Sequence, residues 1–228
     1  LAAGADPLLT AFARAAYWCN DARLHEQEGQ WCTEGDPMEG ALLALAGKIS
    51  GQGGQAFGGH TRLDAVPFDA AHRYMAVLSL DSDGLPHIYV KGAPEALLAM
   101  CAQQRTPEGN APLDADYWLQ QVEKLAEKGR RVLAVAERAA AAGQTALSSA
   151  DIAQSLQFIG LVGLIDPPRA EAVAAVQQCR EAGIQVKMIT GDHAATARAI
   201  AREIGLTHTD NVLTGNDLDF IDDAGLAG

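Results

Sequence analysis

The chain has 228 residues, 48% of them hydrophobic, so it is long enough for one large domain or two modest ones with buried cores. Its formal net charge of −12 argues against nucleic acid or an anionic membrane surface as the main partner, although a small anionic ligand needs only two or three local cations. The four cysteines form no CxxC pair and no run of eighteen apolar residues occurs, which favours reduced thiols and no membrane span.

Two helices near the start of the chain begin with the same Asp-Pro pair. Asp6 is the predicted N-cap and Pro7 the first residue of a helix that runs to Cys19. A second helix is predicted over residues 37–48, and a glycine-rich loop follows it over residues 51–60. Proline has no N–H to lose in the first helical turn, so both starts are well specified.

Alternating apolar residues then indicate a β-hairpin. Residues 74–80 and 87–91 have strand patterns, and the turn residues DSDGLP connect them. The other elements predicted before residue 151 are a helix over 94–101, a helix over 116–128, a strand over 130–137 and a loop or linker over 139–150.

The pattern changes in the last third of the chain. Residues 158–165 are almost continuously apolar, as expected of a strand that is covered on both faces. A helix, a strand over 184–189 and a second helix ended by Gly205 follow. This order predicts a parallel sheet, so we place a boundary near residue 155, between an α+β domain with an antiparallel sheet and part of an α/β domain.

The turn at residues 190–192 is a candidate anion site. Gly191 permits a tight turn, Asp192 can cap the following helix, and Thr190 adds a hydroxyl. Backbone N–H groups at a helix start can bind phosphate. An ordinary capped turn explains the same residues equally well.

A second group of candidate ligands surrounds the end of the strand over 87–91. Lys91 supplies a mobile cation beside a helix start, and Gly92 lets a ligand approach the backbone. Phe68 is expected to head a neighbouring strand and to offer its ring to a purine. Arg73, on that strand, and Arg131, at the start of another, add positive charge. Each of these residues also has a plain structural explanation.

Glu39 is the acidic candidate of this group. In the first turn of a helix it is ordinarily a solvated carboxylate that the helix dipole stabilises, but it can also accept a hydrogen bond from an adenine amine. The sequence has no GxxxxGK[ST] loop, which excludes that mode of nucleotide binding.

Six segments together resemble the P-type cation-transporting ATPases, specifically their cytoplasmic nucleotide-binding domain and part of their phosphorylation domain. The segments occur in the family's order, and their amino-acid sequences are most similar to those of bacterial type II pumps, which move Ca²⁺ or other cations. They are GDPMEGAL (35–42), PFDAAHRYM (67–75), KGAPE (91–95), GRRVLAVA (129–136), DPPR (166–169) and MITGDHAATARAIA (188–201).

The resemblance implies a role for each residue of the nucleotide site. Phe68 matches the aromatic residue that stacks on adenine, and Glu39 the acidic residue near the adenine. Lys91 matches the lysine that lines the nucleotide pocket, and Arg131 the arginine that contacts the phosphates. At the position of Arg73 relatives usually have lysine, so the phosphate geometry is expected to differ there.

The resemblance also assigns the later motifs. Asp166 and Arg169 match the hinge-side segment that meets ATP and Mg²⁺ on domain closure. Thr190, Gly191 and Asp192 match the phosphate-binding turn beside the phosphorylated aspartate.

At the level of domains, the resemblance implies an ATP-binding domain over 1–155 and a partial phosphorylation domain of the haloacid-dehalogenase (Rossmann-type) fold over 156–228. The DKTGT acceptor motif and the magnesium-binding GDGxNDxPAL segment do not occur in the sequence, so they are expected upstream of Leu1 and downstream of Gly228. This fragment is therefore expected to bind ATP without turning it over. Its expected partners are the remaining phosphorylation, actuator and transmembrane domains of one pump, at the cytoplasmic face of the cell membrane.

Two other functions stay open at this point. A free-standing phosphatase of the haloacid-dehalogenase type needs an Asp-x-Asp nucleophile, which Asp81 and Asp83 superficially offer, with Asp222 and Asp223 as a metal pair. The predicted hairpin around Asp81 and the lack of any lysine after Lys187 argue against it. The other alternative is a non-catalytic nucleotide-binding module.

Overall fold

The described strands of the chain assemble into one large and one small sheet. The structure is a computed structural model and describes residues 6–51, 57–165, 168–191 and 194–218. Its strands are β1 (Arg23–Gln27), β2 (Gln30–Glu34), β3 (Thr61–Val66), β4 (Tyr74–Leu80), β5 (Pro86–Gly92), β6 (Cys101–Thr106), β7 (Gly109–Pro112), β8 (Arg131–Ala139) and β9 (Leu156–Leu164).

The first two helices start as their Asp-Pro pairs predict. The Asp6 carboxylate accepts the backbone N–H of Leu8 at 2.8 Å, and Asp36 accepts that of Met38 at 2.8 Å. The helices are α1 (Pro7–Trp18), α2 (Pro37–Ser50), α3 (Pro94–Met100), α4 (Ala115–Ala126), α5 (Ser149–Ile152), α6 (Ala170–Glu181), α7 (Ala194–Glu203) and α8 (Gly215–Leu218).

The large sheet has the strand order β3-β4-β5-β8-β9-β6-β7. The predicted hairpin is confirmed, because β4 and β5 pair antiparallel with Met75 opposite Lys91. β5 pairs antiparallel with β8, whereas β6 pairs parallel with β9. The first part of the chain is therefore a mixed α/β structure with a largely antiparallel sheet, and β1 and β2 form a separate antiparallel pair.

The large sheet buries both faces. Alternate residues of β4 and β5, such as Leu78 and Val90, pack with Leu97 of α3 and Phe158 of β9. The intervening residues face the opposite way and form a second cluster with α1 and α2. That cluster includes Phe12, Leu42, Met75, Val77, Tyr89 and Val135. The site described below lies at the edge of this second cluster.

The division between compact units differs from the expected boundary near residue 155. One unit lies within Leu1–Gln120 and Val132–Leu164, and the other within Gln121–Arg131 and Ile165–Gly228. β9 belongs to the first unit, because both of its edges are hydrogen-bonded there, to β8 and to β6. Its apolar run does fit a strand covered on both faces, but the covering sheet is the first one.

The prediction of a strand over residues 184–189 is wrong. These residues are described and form no strand, and Ile189 is 99% exposed. A strand needs a hydrogen-bonding neighbour, and β9, the partner that the sequence suggested, is enclosed by β8 and β6. The expected helices on either side do form, as α6 and α7. Gly183 and Gly205, which follow these helices, have a left-handed backbone conformation.

Several elements have no clear sequence signal. The β1–β2 pair, β3 and the β6–β7 hairpin are short and mostly polar, so periodicity does not mark them. Among the described helices, none has both the length and the apolar character that crossing a bilayer requires.

Candidate functional site

Lys91 is a buried cation near the end of β5. It lies opposite Met75 of β4 and Val135 of β8, so it points into the cluster under α1 and α2. The residue is 7% exposed, and its Nζ donates to Oε1 of Glu39. A charge at this depth is tolerated because it has an opposite charge in direct contact.

Glu39 is fixed in the first turn of α2 by contacts of both its backbone and its side chain. Its N–H donates to the Asp36 carboxylate at 3.2 Å, and its Oε2 accepts the backbone N–H of Asp21 at 3.1 Å. With Lys91 on Oε1, each carboxylate oxygen has one donor. The expectation of a mobile Lys91 is therefore wrong, because Lys91 and Glu39 neutralise each other in a largely buried ion pair. The same pair rules out the alternative of Glu39 as an ordinary solvated carboxylate.

Gly92 has a packing role beside this pair. Arg73 O accepts the backbone N–H of Ala93 at 2.9 Å. A Cβ at Gly92 would lie 2.4 Å from that same oxygen and 2.7 Å from the Cα of Tyr74. The space that we expected to admit a ligand is thus filled by the backbone of the chain itself.

Residues 67–73 form an ordered loop that ends at this contact. The Asp69 side chain accepts the Ala71 N–H at 2.7 Å, and Asp69 O accepts the Arg73 N–H at 2.7 Å. Arg73 has a left-handed φ of 58°, which turns the chain into β4. Phe68 lies in this loop, before β4 and not on it, and is 64% exposed. An exposed ring is therefore displayed by a loop whose end is docked next to Lys91.

The remaining candidates are distributed over the second unit. Arg131 begins β8, as expected, and is exposed. Arg169 is the exposed N-cap residue of α6, and Thr190 and Gly191 are exposed. Asp166 and Asp192 lie outside the described residues. The structure thus brings Glu39, Lys91, Gly92 and Arg73 together with the Phe68 loop, all in the first unit.

Sequence reasoning missed the segment after α1, which completes the site. Cys19 is fully buried, with its Sγ 3.5 Å from Met75 O, and Asp21 supplies the N–H that binds Glu39. Asn20 also contacts Glu39, through the backbone carbonyl. The one available signal was the polar pair Asn20-Asp21 directly after an apolar helix, which is common at helix ends and carries little information.

Cys19 predicts a pH effect on folding. Burial, only partly opposed by the Lys91 charge, raises the pKa of this thiol from 9.0 to about 11. Between these values the unfolded thiol ionises and the folded one does not, so stability is present below pH 9 and is lost as the pH rises towards 11. We expect this group to cost about 2 kcal/mol of unfolding free energy by about pH 10.5.

Urea unfolding at pH 8 and pH 10.5 measures this loss. Cys19→Ala should lose less stability than the wild type over this interval, whereas Cys32→Ala, on the exposed hairpin, should match the wild type. An equal loss in all three proteins would contradict the prediction.

The geometry around Asp81 does not favour phosphatase chemistry. Asp81 lies in the turn of the antiparallel β4–β5 hairpin, as predicted, and its Oδ1 accepts the N–H groups of Asp83 and Leu85 at 3.0 and 2.8 Å. The carboxylate organises the turn. Asp222 and Asp223 lie outside the described residues.

Comparison with known proteins points to one family. Residues 8–171 match the family described as P-type ATPase, cytoplasmic domain N. The chain is 43% identical over 204 residues to a cation-transporting ATPase of Synechocystis sp., with 89% of this chain and 22% of that protein covered. It is 40% identical over 206 residues to probable cation-transporting ATPase F of Mycobacterium tuberculosis, covering 87% of the chain and 22% of that protein.

A calcium-transporting ATPase of Bacillus subtilis is similar to a comparable extent. It is 36% identical over 192 residues, which cover 82% of this chain and 21% of that protein. The chain therefore spans about a fifth of the length of these relatives.

Proposed function

Because the chain belongs to the P-type ATPase cytoplasmic domain N family, we propose that its first unit binds ATP beside the ends of β4 and β5. The observation that carries the proposal is the exposed Phe68 ring, on an ordered loop that docks next to the Lys91–Glu39 pair. A flat, exposed ring is a stacking surface for a purine base.

The Lys91–Glu39 pair has hydrogen-bonding capacity for an adenine ring. Each oxygen of the Glu39 carboxylate has one protein donor and a second lone pair, so it can still accept the exocyclic amine of adenine. Lys91 holds that carboxylate in place and adds positive charge at the site. The exposed Arg73 guanidinium lies at the end of the Phe68 loop, where a phosphate chain can reach it.

We further propose that the whole protein is an ATP-driven cation pump of the cell membrane, with the residues of this chain on its cytoplasmic face. Residues 165–228 would then belong to a phosphorylation domain of the haloacid-dehalogenase fold, and Arg131 would contact the phosphates of the bound nucleotide. Thr190, Gly191 and Asp192 would form the phosphate-binding turn beside the phosphorylated aspartate, and Asp166 with Arg169 would belong to the hinge-side segment that meets ATP and Mg²⁺. Mg²⁺ would neutralise phosphate charge during transfer to an aspartate. The names of the relatives, which include cation- and calcium-transporting ATPases, support this proposal.

An ATP titration followed by backbone NMR tests the binding site. We expect Kd of about 0.1 to 10 mM, with shifts clustered at Glu39, Phe68, Arg73 and Lys91. Phe68→Ala should weaken binding about fivefold to a hundredfold, the effect of losing one base–aromatic stack, while leaving stability almost unchanged because the ring is exposed.

Trp31→Ala is the matched control, since Trp31 is 59% exposed but lies on the separate β1–β2 pair. It should bind ATP as the wild type does. Absence of shifts at about 20 mM ATP, or equal weakening by both variants, would overturn the proposed site.

A further inference from the structure

The segment that follows α1 is tied to the first turn of α2 by one side chain. Nδ2 of Asn20 donates to Glu39 O at 3.0 Å and to Ala16 O at 3.3 Å. Oδ1 of Asn20 accepts the N–H of Ala22 at 2.9 Å. A single half-buried amide therefore joins the end of α1, the following turn and the residue whose carboxylate faces Lys91.

The same turn carries the second donor to the Glu39 carboxylate. Glu39 Oε2 accepts the N–H of Asp21, the residue directly after Asn20. A backbone N–H can aim at a carboxylate only if the turn that carries it is fixed relative to that side chain. The Asp21 side chain itself points to Arg62 in an exposed ion pair, which contributes little to fixing the turn.

We propose that Asn20 is a positioning residue for adenine recognition, acting through Glu39 without touching the nucleotide. The inference rests on the proposed ATP site. Binding groups must be held within about 0.5 Å of their productive geometry, and a carboxylate with two fixed donors presents its free lone pairs in fixed directions. Without the amide of Asn20, the turn that carries the Asp21 N–H loses its side-chain tie to α2, and Lys91 stays as the fixed donor described for the Glu39 carboxylate.

The ratio of the affinities for ATP and for purine riboside triphosphate distinguishes a positioning role of Asn20 from a general loss of stability. ATP carries the 6-amino group, and purine riboside triphosphate has the same ring and phosphates without it. The wild type should prefer ATP by roughly tenfold, the effect of one hydrogen bond to a charged acceptor. Asn20→Ala should lower this preference roughly three- to tenfold, whereas a purely structural defect weakens both nucleotides equally.

Asn20→Ser provides a second, milder variant in case the alanine protein does not fold. Its hydroxyl can still accept the Ala22 N–H, but it is too short to reach Glu39 O, so the preference for ATP should again fall. Arg62→Gln is the matched control, because it removes the ion pair with the Asp21 side chain and leaves Asn20 and Asp21 unchanged. It should retain the wild-type preference.

The outcomes distinguish this inference from the proposed site. If the wild type shows no Phe68-dependent ATP binding, both are overturned. If it binds ATP through Phe68 and Glu39 but Asn20→Ser keeps the full preference for ATP, the positioning role alone is overturned. A reduced preference in Asn20→Ser with an unchanged preference in Arg62→Gln supports the role.

Discussion

Replacing Gly92 with alanine should destabilise the first unit by about 3 kcal/mol or more. The new Cβ would lie 2.4 Å from Arg73 O and 2.7 Å from Tyr74 Cα, and both contacts are with backbone that cannot rotate away. Relief would require moving the end of β5 away from β4, where Gly92 and Tyr74 are paired. ATP binding should be lost as well, because the Phe68 loop ends at this contact.

Urea unfolding followed by circular dichroism measures the effect of Gly92→Ala. Gly160→Ala is the control within the same sheet, since its Cβ would meet Phe12 at an ordinary 3.5 Å. We expect the control to change the unfolding free energy by less than about 1 kcal/mol. Similar changes in unfolding free energy in both variants would show that the close approach of Gly92 to Arg73 and Tyr74 does not determine the stability of the sheet.

Replacing Lys91 with methionine should cost about 3 kcal/mol of stability and should also abolish measurable ATP binding. The substitution leaves the Glu39 carboxylate in a largely buried place with the Asp21 N–H as its described donor. Uncompensated buried charge is expensive, whereas a pair of neutral side chains of similar volume is tolerated.

The double variant Lys91→Met with Glu39→Gln separates the two effects. It should recover most of the lost stability, because no unpaired charge remains, but it should not recover ATP binding. Arg202→Met, which breaks the exposed pair with Asp210, is the comparison and should cost less than about 1 kcal/mol. A double variant as unstable as the sum of its parts would mean that the two residues do not stabilise each other.

Local signals predicted the parts of this fold that depend on neighbouring residues. The Asp-Pro pairs specify the starts of α1 and α2, because the cap and the helix it serves lie within three residues. The β4–β5 hairpin follows in the same way from two alternating runs and a turn between them.

Features that depend on distant residues were not predictable. Lys91 looked like a free cation because Glu39, which neutralises it, lies 52 positions away in the sequence. Gly92 looked open because the backbone that fills its space belongs to another strand. The apolar run of β9 was correctly identified as a buried strand, but no local pattern says which sheet covers it.

The place of β9 has a consequence for the order in which the protein can fold during synthesis. β9 is inserted between β8 and β6, so the large sheet cannot close until Leu164 has left the ribosome. A nascent chain that ends before Leu156 presents two open strand edges, and such edges recruit other chains. Release of a chain truncated there should therefore give aggregates, whereas release after Leu164 leaves the large sheet with all seven of its described strands.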